Sequence, residues 1–250
     1  MPTFVYAGSG FFGVVPGSKE TKENDGEIHS FELTTTLKEP PPREPGDRRP
    51  PVLTPTFAPL EVIKQGGSFP MWLAADEAQR FLYAVDSPTG EEPGLVHAYA
   101  VTDDGKLTEL NSVSSEGSVP CHLSVVGKTV LVANYSGGNV AALPIAADGS
   151  LGAATSVHVH GPGAKGGHAS GRMDAAHPHI ILPAPDKKFV FVCDLGCNKI
   201  FSYALDAEAS KLTPVSEVEL PAGSGPRHLA FSPTGATPAI PSPLCQALPC

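Results

Sequence analysis

The stretch HPHIILPAPDKKFVFVCDLG (177–196) contains two apolar runs, rich in β-branched and aromatic residues, on either side of a polar turn. This pattern predicts two antiparallel strands joined by a hairpin. Related stretches begin at residue 69 (FPMWLAADEAQRFLYAVD) and at residue 119 (VPCHLSVVGKTVLVANYSGG), and the start of another, PRHLAFSP, begins at residue 226. The chain is therefore built from an internal repeat.

Each of the three longer copies continues with two further strand-like segments. The third segments are GLVHAYAVT, NVAALPIAA and NKIFSYALD, and each fourth segment carries a leucine after a turn, as in DGKLTELNSVS. Prolines 70, 120, 178 and 226 mark the repeat at intervals of roughly 50 residues, and four short strands per unit of this length are typical of β-propeller blades. TFVYAGSG and GEIHSFEL predict a partial first unit, which makes an all-β propeller of about four to five blades in an incomplete ring.

Two proline-rich segments interrupt this pattern. Because proline cannot donate to a sheet ladder, residues 38–60 are expected to form an extended or disordered inserted loop. In residues 236–250 a second apolar strand should follow PRHLAFSP, but four prolines occur there instead. We therefore predict a partial propeller over residues 1–235 and a divergent proline-rich tail over 236–250.

Composition limits the function classes. The net charge of −9 and the pI of about 5.4 argue against general binding to nucleic acid or anionic membranes. The N-terminus lacks a signal-peptide pattern, no apolar run could span a bilayer, and the five cysteines form no regular framework, so a cytoplasmic location with reduced thiols is expected. Local Arg and His residues still permit a small anionic substrate.

The repeat register points to a candidate site. Aligning Pro178 with Pro226 makes His179 equivalent to Arg227, and the first strands of propeller blades line a common channel. Imidazole beside a permanently charged guanidinium suits general acid–base chemistry on a carboxylate or phosphate ester. The predicted catalytic residues are His179 and Arg227, and the predicted substrate-binding residues are His177, His228, Arg172, Asp194 and Asn134.

Two other interpretations involve the same kinds of residue. Asn134 and Asp194 end the second strands of their units, where such residues often form turn caps. His158 and His160, together with Asp174, could ligate zinc. The two histidines fall on an outer strand in the repeat register, away from the channel, so neither a metal nor another cofactor is predicted.

Several motifs resemble the lactonase family of seven-bladed propellers. They are ANYSGGNV, HPH, the segment PDKKFVFVCDLG with KIFSYALD, KLTPV and GSGPRHLAFSP. The family includes propeller-type 6-phosphogluconolactonases and fungal 3-carboxy-cis,cis-muconate cyclases. The resemblance implies that the HPH histidine, His179, and the GPRH arginine, Arg227, belong to the active site. A family glutamate would fall at Pro243, and a further family arginine would lie beyond residue 250.

The resemblance implies hydrolysis of a small anionic sugar-acid lactone, most simply 6-phosphogluconolactone. A carboxymuconate cycloisomerase and a catalytically inactive truncated propeller that only binds remain as alternatives. An incomplete ring would also leave open blade edges, which predicts self-association through them.

Overall fold

Antiparallel sheets provide all the regular secondary structure in the part of the chain that the computed structural model describes, which comprises residues 3–9, 27–38, 52–64, 69–87, 93–164, 173–232 and 238–239. Strands follow one another along the chain as hairpins, so each sheet is a meander. No helix among these residues is long and apolar enough to cross a membrane.

Five sheets follow in chain order, and three of them have four strands. Sheet 1 contains β1 (Thr3–Ser9), β2 (Glu27–Lys38) and β3 (Val52–Lys64). Sheet 2 contains β4 (Phe69–Ala75), β5 (Phe81–Ser87), β6 (Leu95–Val101) and β7 (Leu107–Ser114). Sheet 3 contains β8 (Pro120–Val126), β9 (Thr129–Asn134), β10 (Asn139–Pro144) and β11 (Ser156–Val159). Sheet 4 contains β12 (Pro178–Pro183), β13 (Phe189–Asp194), β14 (Lys199–Asp206) and β15 (Lys211–Glu219), and sheet 5 contains β16 (Ala230–Phe231) and β17 (Pro238–Ala239).

Consecutive sheets pack face to face through buried apolar side chains. Val132 and Leu143 of sheet 3 pack against Tyr83 of sheet 2, while Leu131 and Ala142 of sheet 3 pack against sheet 4. Sheet 2 also packs against sheet 1, and sheet 4 against sheet 5. Because both faces of sheets 2, 3 and 4 are covered, second strands such as β5 and β9 are buried along most of their length, as stacked propeller blades require, whereas the fourth strand β15 is largely exposed.

The first strands of the four-stranded sheets lie side by side. β8 contacts both β4 and β12, and β1 contacts β4. Each of β4, β8 and β12 is a terminal strand of its own sheet, so one edge of each has no strand partner within that sheet. We call β4, β8 and β12 the inner strands. Their arrangement confirms the fold class that the repeat predicts.

The proline-rich segment differs in part from expectation. Of the inserted loop predicted over residues 38–60, residues 39–51 lie outside the described residues. Lys38 lies instead in β2 and residues 52–60 in β3, and these two strands pair with each other. The physical reason is that β3 is the terminal strand of sheet 1, where a proline such as Pro55 or Pro59 can direct its missing donor away from the ladder. Of the predicted tail, only residues 238–239 are described, and Pro243 lies outside the described residues.

Candidate active site

Each inner strand has the same irregularity near its start. Its proline pairs with a polar residue at the end of the second strand or one residue before it, as Pro178 does with Asp194 and Pro70 with Asp86, and the register then shifts by one residue. A bulge of this kind leaves one residue out of the ladder and redirects its side chain. The bulged residues are Met71, Cys121 and His179. His179 therefore has the same position on its blade as Cys121 and Met71 have on theirs.

In the structure the rings of His179 and His228 are in contact, and the positive charge of Arg227 acts on both. The two imidazole rings meet edge to face, with centroids 5.0 Å apart. Burial, then the charge of Arg227, then His228 lower the pKa of His179 to about 4. Burial and Arg227 also lower the pKa of His228. Both imidazoles are therefore neutral at neutral pH, beside a fixed positive charge.

His177 is held next to this cluster by Tyr135, a residue that the sequence analysis did not single out. The two rings stack with centroids 4.4 Å apart, and His177 Nδ1 donates to the Tyr135 carbonyl at 2.9 Å. Tyr135 also meets His179 edge to face, with ring centroids 6.0 Å apart. Its position directly after the strand-end residue Asn134, in the turn between β9 and β10 of the same sheet, is the sequence signal for this role.

His122 is a second residue of this region that the sequence pattern does not predict. It is 3% exposed, and its ring contacts that of Trp72 with centroids 4.3 Å apart. Burial, then the positive charges that His228 and His179 can carry, lower the pKa of His122 to about 3. The available signal was the repeat itself, because His122 stands two residues after its proline, as His228 does after Pro226.

Asn134 and Asp194 do not face this cluster. Both are fully buried, and the Asn134 side chain donates to the Ser115 carbonyl at 2.7 Å. Asp194 accepts backbone N–H groups of His177 and Cys197, each at 2.8 Å, and Nδ1–H of His160 at 2.6 Å. Their contacts are those of turn caps, and the substrate contact predicted for them stays a prediction.

Asp194 is an anchor of the loop that carries His177. Although burial raises its pKa, the hydrogen bonds from His160, Cys197 and His177 outweigh burial and lower it. A lowered carboxyl pKa stabilises the fold above the unfolded-state value of about 3.9, and that contribution is lost as the pH falls through the lower folded-state value. At pH 7 the contribution is fully present.

Asp194→Ala should therefore destabilise the protein by about 3–5 kcal/mol at pH 7, because three donors, two of them in buried hydrogen bonds, lose their acceptor. Urea unfolding followed by tryptophan fluorescence measures this change. The matched control is Asp186→Ala, which removes an exposed turn carboxylate that accepts only the Lys188 N–H and should cost less than about 1 kcal/mol. Equal losses in the two variants would contradict the anchoring role.

The remaining predictions concern Arg172 and a metal. Arg172 lies outside the described residues. Within the described segments, no group of three or more His, Cys, Asp or Glu side chains could hold a metal ion. His160 is bound to Asp194 and Tyr203, while His158 contacts the Leu212 carbonyl, so both histidines make hydrogen bonds within the protein.

Comparison with known proteins identifies relatives over most of the chain. A family model described as "Lactonase, 7-bladed beta-propeller" matches residues 54–237. The chain is 35% identical over 216 residues to the 6-phosphogluconolactonase of Bacillus subtilis (strain 168), covering 85% of this chain and 54% of that protein. It is 34% identical over 178 residues to the 6-phosphogluconolactonase of Pectobacterium atrosepticum, covering 70% of this chain and 47% of that one. The chain thus spans about half the length of these curated relatives.

Solved structures show the same similarity. The periplasmic gluconolactonase of Pseudomonas aeruginosa superimposes with a TM-score of 0.67 at 29% identity, covering 86% of this chain and 57% of that chain. A protein from Lactobacillus plantarum superimposes with a TM-score of 0.69 at 29% identity, covering 95% and 59% of the two chains.

Proposed function

Because this chain belongs to the lactonase family of seven-bladed β-propellers, we propose that it hydrolyses a sugar-acid lactone, namely 6-phosphogluconolactone to 6-phosphogluconate. The observation that carries the proposal is the cluster of His179 and His228 beside the charge of Arg227 at the start of adjacent blades. The names of the relatives in Bacillus subtilis and Pectobacterium atrosepticum support the substrate class.

In the proposed reaction His179 acts first as a general base. Its neutral imidazole takes a proton from water, and the water oxygen bonds to the lactone carbonyl carbon. Collapse of the tetrahedral intermediate breaks the ring C–O bond, and the imidazolium returns the proton to the leaving alkoxide. The products are a hydroxyl group and a carboxylic acid, so one water is consumed and no other reactant is needed. Proton transfer of this kind contributes about 10²–10⁴-fold to the rate.

Arg227 supplies the positive charge in this scheme. A guanidinium either polarises the ring carbonyl, where negative charge develops, or holds the anionic group of the substrate through two parallel hydrogen bonds. His177 and His228 orient the substrate around His179. Arg172 is assigned to anion binding from the sequence alone. The cytoplasmic location and self-association through open blade edges stay predictions.

The pH dependence of kcat/KM tests both the proposed function and the role of His179 as the general base. The active form of a general base is deprotonated, so kcat/KM should be constant down to about pH 4 and fall tenfold per pH unit below it. An imidazole with the ordinary pKa of 6.5 would place this fall more than two pH units higher. Substrate and product can be followed by ³¹P NMR, with the rate in buffer alone subtracted.

The Bacillus subtilis relative, assayed alongside, is the positive control for this experiment. Hydrolysis by the relative but not by this chain would contradict the proposed function. Binding of the substrate without turnover would instead support the alternative of a binding propeller.

A further inference from the structure

We propose that β8 is the element that positions His179, and that His122 is its principal positioning residue. This inference rests on the proposed function, because it concerns how the proposed general base is held. His122 acts through the backbone of β12, since it is buried and contacts that strand directly.

Three side chains of β8 bind the backbone of β12. Cys121 Sγ donates to the His179 carbonyl at 3.4 Å, and Ser124 Oγ donates to the Ile181 carbonyl at 2.7 Å. The Ile181 N–H in turn donates to His122 Nδ1 at 3.4 Å. Both backbone groups of Ile181 are thus bound by side chains of the neighbouring blade.

These contacts matter because β12 is held by a strand on one side only. It is the terminal strand of sheet 4, with β13 as its neighbour. His179 is the bulged residue, so it has no partner in the β12–β13 ladder. The contacts from β8 lie at His179 itself and two residues further along, on either side of Ile180. They therefore restrain the backbone where sheet 4 leaves it unpaired.

His122 can fill this role only as a neutral imidazole. Nδ1 must accept from the Ile181 N–H, which leaves the ring proton on Nε2. A protonated ring would bring two N–H donors together at Nδ1. Burial, His228 and His179 keep the pKa of His122 at about 3, and the contact with Trp72 fixes the plane of the ring.

The test compares His122→Leu, which removes the acceptor, with His122→Asn, whose side-chain oxygen can still accept from Ile181. The matched control is Thr129→Val, which removes a buried hydroxyl that also bonds sheet 3 to sheet 4, at the Ala207 carbonyl (3.0 Å) and at Ser210 Oγ (2.8 Å). In His122→Leu we expect kcat to fall about 10–100-fold with KM within about threefold, because misplacement by about 1 Å costs on the order of 10²-fold. His122→Asn should recover most of the rate, and Thr129→Val should match wild type.

An imidazole NMR titration of His179 separates positioning from function, since it needs no turnover. In His122→Leu the titration midpoint should rise from about 4 towards 6.5, because a displaced ring is less buried and further from Arg227. A midpoint equal to that of Thr129→Val would overturn the proposal, whatever the activity.

If neither the wild type nor any variant hydrolyses the lactone, the proposed function fails, and the titration still decides whether His122 positions His179. If His122→Leu does not fold, Ser124→Ala, which removes one hydroxyl, should shift the midpoint in the same direction, and an unchanged midpoint would count against the proposal.

Discussion

His179→Gln should lower kcat for lactone hydrolysis by about 10²–10⁴-fold while KM changes little, because glutamine keeps a polar side chain of similar reach but cannot take the proton from water. The acid limb of the pH profile near pH 4 should disappear with it, since the residue that titrates there is gone. Steady-state kinetics from pH 3 to pH 8 measure both effects.

His158→Gln is the matched control for this substitution. His158 lies on β11, at the outer side of sheet 3, and its ring contacts the Leu212 carbonyl rather than the cluster. Its replacement should leave kcat within about twofold of wild type, because surface and outer-strand substitutions away from the reacting groups have small effects. A loss in His179→Gln no larger than in His158→Gln would mean that His179 is not the base.

The sheets follow from the repeat because the pattern is local. Alternation of apolar residues along each strand, and turns of similar length between strands, are visible within each unit. The leucine of the fourth segment shows this well: Leu107, Leu151 and Leu212 are each buried between sheets. Leu151 precedes β11, which begins only at Ser156. Leu151 is nevertheless buried, and it forms an isolated bridge with Ile145.

The bulge at the start of each inner strand could not be read from the spacing. Because all three units contain the bulge, their first strands align without a gap, and simple alternation then assigns the residues on either side of the bulge to the wrong faces. The direction of the His179 side chain depends on the bulge, in which His179 is the unpaired residue. Sequence register therefore predicts the proximity of positions 179 and 227, but not how the ring is directed.

The missed residues depend on packing between blades. His122 and Tyr135 lie on sheet 3 or at its edge, yet their partners are on β12 or in the loop before it. Such contacts are set by how two sheets pack against each other, which no pattern within one unit encodes. For Asp194 the sequence pattern predicts the strand-end position, but the three hydrogen-bond donors that make it an anchor come from His160, His177 and Cys197 and are visible only in the structure.

Arg227→Met should lower kcat/KM by about 10²–10³-fold, the cost of removing one preorganised group that stabilises developing negative charge. The same change removes a positive charge that lowers the pKa of both His179 and His228, so the acid limb should move above pH 4 and both imidazoles should titrate at higher pH. Arg227→Lys keeps the charge but not the planar fork, so we expect the acid limb to stay near pH 4 while part of the rate is lost.

Arg80→Met is the control, because Arg80 is an exposed residue at the β4–β5 turn that lies over the Phe81 ring, and its removal should change neither the rate nor the position of the acid limb. Titration of His179 at an unchanged pH in Arg227→Met would show that the guanidinium does not act on this imidazole, and the proposed pairing of base and cation would then be wrong.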